Sequence, residues 1–576
     1  ADLDALAANP AVALFIDRAR AARAGFQLDG AQAGAVLGLV HHLQGMPLAI
    51  ELAAAQVRSM APATLLGLLQ AQAPQDAPGL VLLARSGPRA GGDPRHASML
   101  AVVQWSWGLL SPRAQQLLPR LSCLAGSFSL AAAQALADAP GTSVALALDE
   151  LVCHSMLRST DDGERYALFE LIREFAASQL PPAEAPGLRQ RHRRWLTGWF
   201  AALPLSAPLQ QVRAEVANLA AAFCGAEADG AHADAAALAA AAQTAMSAIS
   251  LPPQALAALR RSVDQLDDPV ARAVGRASLA RSLLVTGQAA DAGHLADAAL
   301  AELPPPPGHG AGGANALPLA MPLALPRAQV LARVAHVRWR LHRDPAAAAW
   351  LDEALALARG AGALALQATI LTNQGAVLRA QQPQASIALQ RQAMALWAEA
   401  GDRHGVNVGR CNLAMALLAR RAGCAEALGL LQLAASDTRA TGDDLQHALA
   451  CNLQGEAWCR LGRWAEAAAA YRACIAAAWA VAEPWPMAYG LWNLPRALAH
   501  LRQPQAAARL MGFAEAHVPA ITGPLSRADR HDLRRLWRLC RVQLPAGAAA
   551  PATLQAWRDA GRALPMAQGV GEALRA

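Results

Sequence analysis

Hydrophobic residues recur at helical spacing along nearly the whole chain, and proline and glycine mark where each helix stops. Asn9-Pro10 opens the first helix, with Pro10 near the first helical position, where its missing N–H costs nothing. Leu14, Phe15 and Ala19 then fall on one face. A second helix covers Ala33 to Leu43 and is broken by Gly45-Met46-Pro47; Pro47 starts the next, and Pro62 and Pro74 bound the segment after it. The run from Pro78 to Pro94, PGLVLLARSGPRAGGDP, is a loop by its proline and glycine content. Further helices are predicted over Ala97–Leu110, Pro112–Leu124, Ser129–Ala137 and Val144–His154, with Ser111 and Ser129 as N-caps. The period then changes. Met156 to Phe169, MLRSTDDGERYALF, alternates across a turn at Asp162-Gly163, which predicts a β-hairpin. A helix over Glu170–Leu180 closes this region.

From about residue 189 onward the pattern is helix after helix, with turn anchors at Gln382, Gly423, Gly462 and Gln503 spaced by 41, 39 and 41 residues. Earlier copies centre on Gly287 and Asp344. The clearest copy, LGRWAEAAAAYRACIAAA (Leu461 to Ala478), resembles a tetratricopeptide (TPR) repeat with a longer period than the usual ~34 residues. Between the two earlier copies, Pro304 to Pro326 (PPPPGHGAGGANALPLAMPLALP) is predicted to be a non-helical surface excursion.

The residues Gly45-Met46-Pro47-Leu48-Ala49, with an apolar helix behind them, resemble the GLPLA motif of the STAND-class signalling ATPases (the NB-ARC or AP-ATPase group). The resemblance continues on both sides. NPAVALFIDRARAARAGFQLD (Asn9 to Asp29) resembles the helix and loop before that motif. PRHASMLAVVQWSWGLLSPRAQQLLPRLSCLAGSFSLAAAQAL (Pro94 to Leu136) and LDELVCHSMLRSTDDGERYALFELIREFAASQL after it resemble the winged helix that follows. The implied fold is mainly α: a helical lid segment plus a winged-helix domain, followed by a TPR-like α-solenoid. The implied domains are residues 1–92, the C-terminal helices of the nucleotide-binding module; 93–182, the winged helix; 183–303, a helical linker and first repeats; 304–326, the loop; 327–503, further repeats; and 504–576, a helical cap.

Composition narrows the chemistry. All of the 50 basic residues are arginine, so the lysine that a phosphate-binding loop sets against the β- and γ-phosphates is absent. The family's phosphate loop, Mg²⁺-holding acid and sensor arginine would lie upstream of this segment, and a first residue that is Ala rather than Met points to a fragment. No catalytic residues, no metal site and no cofactor are therefore expected for this chain as it stands, with ATP or ADP belonging to the intact parent. The resemblance also implies an N-terminal nucleotide-binding and effector module as a partner. The nine cysteines are scattered and form no CxxC, as expected of buried free thiols in a reducing compartment. No apolar run is long and pure enough for a membrane span, and no signal peptide is visible, so a cytoplasmic location and no membrane partner are expected.

Each candidate residue has a plainer alternative. Gly45, Pro47 and Leu48 match the positions that lie near adenine in the family, but a glycine and proline at a helix start need no ligand. The triplet Leu168-Phe169-Glu170 stands where relatives in plants and animals have Met-His-Asp, and phenylalanine cannot donate that histidine's hydrogen bond to phosphate. The winged helix's fourth helix (Val144–His154) offers Asp149 and Glu150 and no Arg, Asn or Gln, so direct DNA contact is not expected. The basic run RQRHRRW (Arg189 to Trp195) is expected to be a solvated helix face, and His41-His42 a surface pair without ligand partners. Four asparagines, Asn373, Asn412, Asn452 and Asn493, recur at spacings of 39, 40 and 41, each about ten residues before its turn anchor. Asparagine is a poor mid-helix residue. The row is either a binding ladder for a protein or peptide on the concave wall or a set of amides that fixes repeat stacking. The function expected from the resemblance is the regulatory part of a bacterial transcription switch. The residues alone also allow a stand-alone repeat scaffold that keeps its first 180 residues as a degenerate cap.

Overall fold

The computed structural model describes residues 6, 8–43, 45–71, 102–137, 141–160, 163–246, 249, 251–285, 288–304, 321–420, 423–481, 483–544 and 549–576. The loop expected over Pro78–Pro94, the anchor Gly287 and Asp162 of the hairpin turn lie outside them. Among the described residues no helix is long and apolar enough to cross a membrane. The chain divides into two compact units: Ala1–Leu196 with Ala214–Asp229, and Thr197–Arg213 with Gly230–Ala576.

The first unit begins with four helices, α1 (Pro10–Ala22), α2 (Gly30–His42), α3 (Pro47–Ala55) and α4 (Pro62–Ala71). Their starts are chemically marked. Asn9 accepts hydrogen bonds from the backbone of Ala11 and Val12 at 2.9 and 3.4 Å, and Asp29 caps α2 through Gln32 N at 2.8 Å. Residues 102–108 form α5. The winged helix comes next: α6 (Pro112–Leu121), β1 (Ser127–Ser129), α7 (Leu130–Ala137), α8 (Gly141–Cys153), β2 (Arg158–Ser159), β3 (Arg165–Ala167) and α9 (Glu170–Ser178). The strands pair antiparallel in the order β1-β3-β2, with Phe128 opposite Tyr166 and Ser159 opposite Tyr166 on the other side. Ser111 caps α6, as expected. Ser129 ends a strand rather than beginning a long helix, yet its hydroxyl still accepts from Ala132 N at 3.2 Å.

Two helices complete the unit, the first part of α10 (Ala185–Ala202) and α11 (Val216–Ala228). The basic run on α10 is not a solvated face. His192 is 2% and Arg193 4% exposed, because Arg189 Nε and Arg193 Nη1 both reach Asp229, at the end of α11, at 2.9 Å. A charge run read without its partner helix looks like solvent surface. Here the carboxylate that neutralises it stands some forty residues away.

The second unit is a stack of antiparallel helix pairs: α12 (Pro269–Val285) with α13 (Ala289–Ala301), α14 (Met321–His342) with α15 (Ala346–Gly360), and α16 (Leu364–Leu378) with α17 (Pro383–Glu399). The stack continues as α18 (Arg403–Leu418) with α19 (Cys424–Thr441), α20 (Asp444–Arg460) with α21 (Trp464–Ala480), and α22 (Pro484–His500) with α23 (Pro504–Thr522). The expected turn anchors fall between the two helices of a pair, with Gln382, Gly423 and Gln503 as N-caps and Gly462 at φ +74°. Close approach within a pair needs a missing side chain: a Cβ on Gly455 of α20 would stand 2.4 Å from the buried ring of Tyr471 on α21. Three more helices, Arg527–Arg541, Ala549–Arg562 and Met566–Arg575, close the end of the array.

One expectation fails in part. Residues 305–320 of the predicted excursion lie outside the described residues, but Met321–Pro326 is the start of α14. Pro322 sits in the first turn, where no N–H is needed, and Pro326 in the second, so the helix loses a single hydrogen bond near its free end. The cysteines also divide. Six are buried and Cys123 is half-buried, but Cys153 and Cys224 are exposed, because they fall on the outer faces of α8 and α11.

Candidate functional site

The Gly45–Pro47 turn is built by local rules. Gly45 adopts φ +68°, a left-handed conformation that ends α2, and its N–H reaches Val40 O at 3.0 Å. Pro47 then occupies the first helical position of α3. Both face solvent. Cap and helix start account for the two residues without a ligand. Leu48 belongs to the same first turn of α3.

Behind that turn, α3 is fully embedded. Ala49, Ile50, Leu52 and Ala53 share one apolar core with Val144, Leu148 and Leu151 of α8 and with Leu118 of α6. A polar contact reinforces the join: Gln56 Nε2 lies 3.2 Å from His154 Nδ1, just past the end of α8. Burial, helped by Arg58, pushes His154 down from its ordinary value and keeps it neutral. The winged helix thus packs on the segment that follows the Gly45–Pro47 turn.

The face on which a winged helix would read DNA is poorly suited to it. Leu146 is 64% exposed, and Asp149 and Cys153 share its side of α8. Glu150 is committed inward, accepting from both the N–H and the hydroxyl of Ser111 at 2.6 Å. In the wing, Arg158 lies over the Phe169 ring at 5.5 Å, and Arg165 turns inward to Ser127 and to Glu215 at 2.7 Å. Glu215 is 1% exposed; its other oxygen accepts from Asn218, whose amide also bridges Ala125 N (2.8 Å) and Ser127 O (3.0 Å). Arg165 is therefore spent on an internal network, while Arg158 stays exposed against Phe169.

In the second unit the four asparagines lie where the spacing put them, on the first helices of successive pairs: Asn373 on α16, Asn412 on α18, Asn452 on α20 and Asn493 on α22, each half-buried. They are not equivalent. Asn493 donates to Asn452 at 3.2 Å, linking two neighbouring first helices. Asn373 reaches back to α14, to His336 Nδ1 at 3.1 Å and Ala332 O at 3.5 Å. Asn412 has no hydrogen-bond partner among the described residues. His336 therefore continues the row one pair earlier, a residue that sequence spacing alone missed because the residue type changes. Its signal was present: Arg333, His336 and Arg340 follow at spacings of three and four, one face of a helix. The row joins helix to helix over part of its length and leaves a free amide at Asn412.

Comparison with known proteins identifies one domain of the first unit by its residues. Residues 110–181 match a family model described as a winged helix-turn-helix domain. A Mycobacterium tuberculosis (strain H37Rv) protein, named as a candidate HTH-type transcriptional regulator, is 33% identical over 233 residues, which is 38% of this chain and 25% of that protein. An uncharacterized protein of the same strain is 33% identical over 195 residues, 33% of this chain and 47% of that protein. The chain thus spans about a quarter of the length of the first relatives it matches. A solved protein from Pyrococcus horikoshii, described as a STAND protein with a tetratricopeptide repeat sensor, covers 96% of this chain and 74% of its own at 13% identity, with a TM-score of 0.46. That likeness is too loose to carry an argument about function.

Proposed function

We propose that this chain is the lid, winged helix and sensor of a STAND-class switch that regulates transcription. Its repeats bind a protein, peptide or small effector, and its nucleotide, ATP or ADP, is held by a phosphate-binding module of the intact parent. The carrying observation is the single core shared by α3 and the winged helix, closed by the Gln56–His154 contact. A domain whose fourth helix presents Leu146 and Asp149 outward, and whose wing commits Arg165 inward, suits an internal lid better than a DNA reader. The relatives named as regulators support a role in transcription; DNA contact would then fall to another part of the parent. The chain itself carries out no catalysis on this reading.

The test is the coding sequence that precedes Ala1. A phosphate-binding loop in the same frame is the expected result, and a stop codon directly upstream would overturn the switch. Two measurements on the chain itself go with it. It should release no phosphate from ATP and Mg²⁺ after a strict contamination control, and it should not shift duplex DNA at moderate salt.

A further inference from the structure

The first helices of the second unit carry cations that lack counter-charges. On α14, Arg333, His336 and Arg340 share a face, and Arg343 follows the helix end. Arg333 is 6% exposed, and among the described residues neither of its terminal nitrogens, Nη1 and Nη2, has a hydrogen-bond partner. Its surroundings are positive. Burial, with the Arg281 guanidinium of α12 nearby, pushes Arg333 down to about 9, still a cation at neutral pH. Burial, then Arg281 and Arg340, drive His336 down to about 3, against its hydrogen bond to the Asn373 amide oxygen. Arg379, after α16, is pushed down by burial and by Arg340 and Arg343, and its Nη1 finds only the sulfur of Met415 at 3.6 Å. Among the described residues none of these five arginines forms an ion pair with a carboxylate.

The wall also reaches across the array. The Arg340 guanidinium lies 6.0 Å from the ring centre of Trp485 on α22, four pairs further along the chain, and it hydrogen-bonds Tyr489. The array therefore winds until first helices far apart in sequence come into contact. Trp485 Nε1, like the Arg333 nitrogens, is a buried donor without an acceptor among the described residues. Unfilled buried donors beside unpaired guanidinia are expensive to keep. An oxyanion removes both costs, since the guanidinium fork matches phosphate and carboxylate oxygens in pairs.

We propose that this wall binds a small ligand with two or more anionic oxygens, a phosphate ester or a polycarboxylate, seated on Arg333 between Arg281, Arg340 and Arg379 and flanked by Trp485. This rests on the reading of the repeats as a sensor and gives that sensor a chemical class of effector.

The experiment is calorimetric titration of the whole chain, at constant ionic strength, with pyrophosphate and separately with citrate, using chloride as the control anion. A dissociation constant at or below about 0.1 mM for at least one of the two is expected. Which one binds distinguishes phosphate from carboxylate. Arg340→Gln, at an exposed position, should leave the melting temperature unchanged and weaken binding at least about tenfold. Arg333→Met should abolish binding while raising the melting temperature of the free chain, because it removes an unpaired buried charge. No binding of either anion by the folded chain, or equal binding by both variants, overturns the proposal. Capture of an acidic peptide without either small anion overturns it too, and leaves the sensor reading standing. The sensor reading fails separately, if the anion binds as described but Arg340→Gln in the parent protein leaves transcription of its targets unaltered.

Discussion

Both units bury arginine, but they do so on different terms. In the first, Arg165 is met by Glu215, and Arg189 and Arg193 by Asp229. Burial alone would raise Asp229, yet the hydrogen bonds from Arg189 and Arg193 outweigh it and hold the carboxyl below its usual range. The end of the array obeys the same rule, with Arg558 on Glu515 and Arg509 on Glu572. The inner wall of the repeats breaks it, with Arg281, Arg333, Arg340 and Arg379 set against one another. Paired charges fix the geometry of a folded unit. Unpaired ones carry a cost that a ligand can remove, so the contrast separates what holds this protein together from what waits for a partner.

The contrast is most exposed at Glu215. Glu215→Ala would strand the wing's Arg165 and the Asn218 amide, and we expect a loss of about 3 kcal/mol from the first unit in urea unfolding. A loss under about 1 kcal/mol would mean that the network is ornamental. Arg333→Met should move the other way, stabilising the second unit by about 1–2 kcal/mol in the same measurement. Destabilisation of that size would show that Arg333 has a partner and would end the comparison.

Acid should then load both units, most strongly through His192 in the first and His336 in the second. Burial holds His192 down to about 4 and His336 down to about 3, both below the ordinary 6.5. The unfolded chain therefore takes up a proton where the folded chain does not. Stability is fully present above about 6.5 and is lost as pH falls from there toward the folded values. We expect roughly 1 kcal/mol lost per histidine by pH 5.5, read as a falling melting temperature. His336→Asn should flatten that slope for the second unit alone; an unchanged slope would mean that His336 is protonated in the fold.

The smallest effects belong to the amide row. Asn493→Ala removes the bond to Asn452 and should cost about 1 kcal/mol, whereas Asn412→Ala should cost almost nothing in thermal unfolding. If the two substitutions behave alike, the row has one role along its whole length, and its division into stacking and free amides is wrong.

Local rules decided much of this molecule. Asn9, Asp29 and Ser111 cap the helices that come after them, the hairpin at Gly163 forms where alternation replaced helical spacing, and the 40-residue period placed the last four helix pairs and set all four asparagines on first helices. Such features depend on neighbours a few residues away, or on the recurrence of one unit, and both are written along the chain. The partners of buried charge are not. Asp229 neutralises a run that begins forty residues earlier, Glu215 takes an arginine from a strand fifty residues back, and the absence of any carboxylate paired with Arg333 among the described residues becomes visible only once α12 and α14 are packed together. Pro326 is the same lesson at short range: proline argued against a helix, and packing of α14 against its neighbours outweighed the one hydrogen bond it removed. Sequence determines which segments are helices and how often they recur. Only the tertiary structure decides which charges meet, because electrostatic and packing energies depend on distance in space and not on separation along the chain.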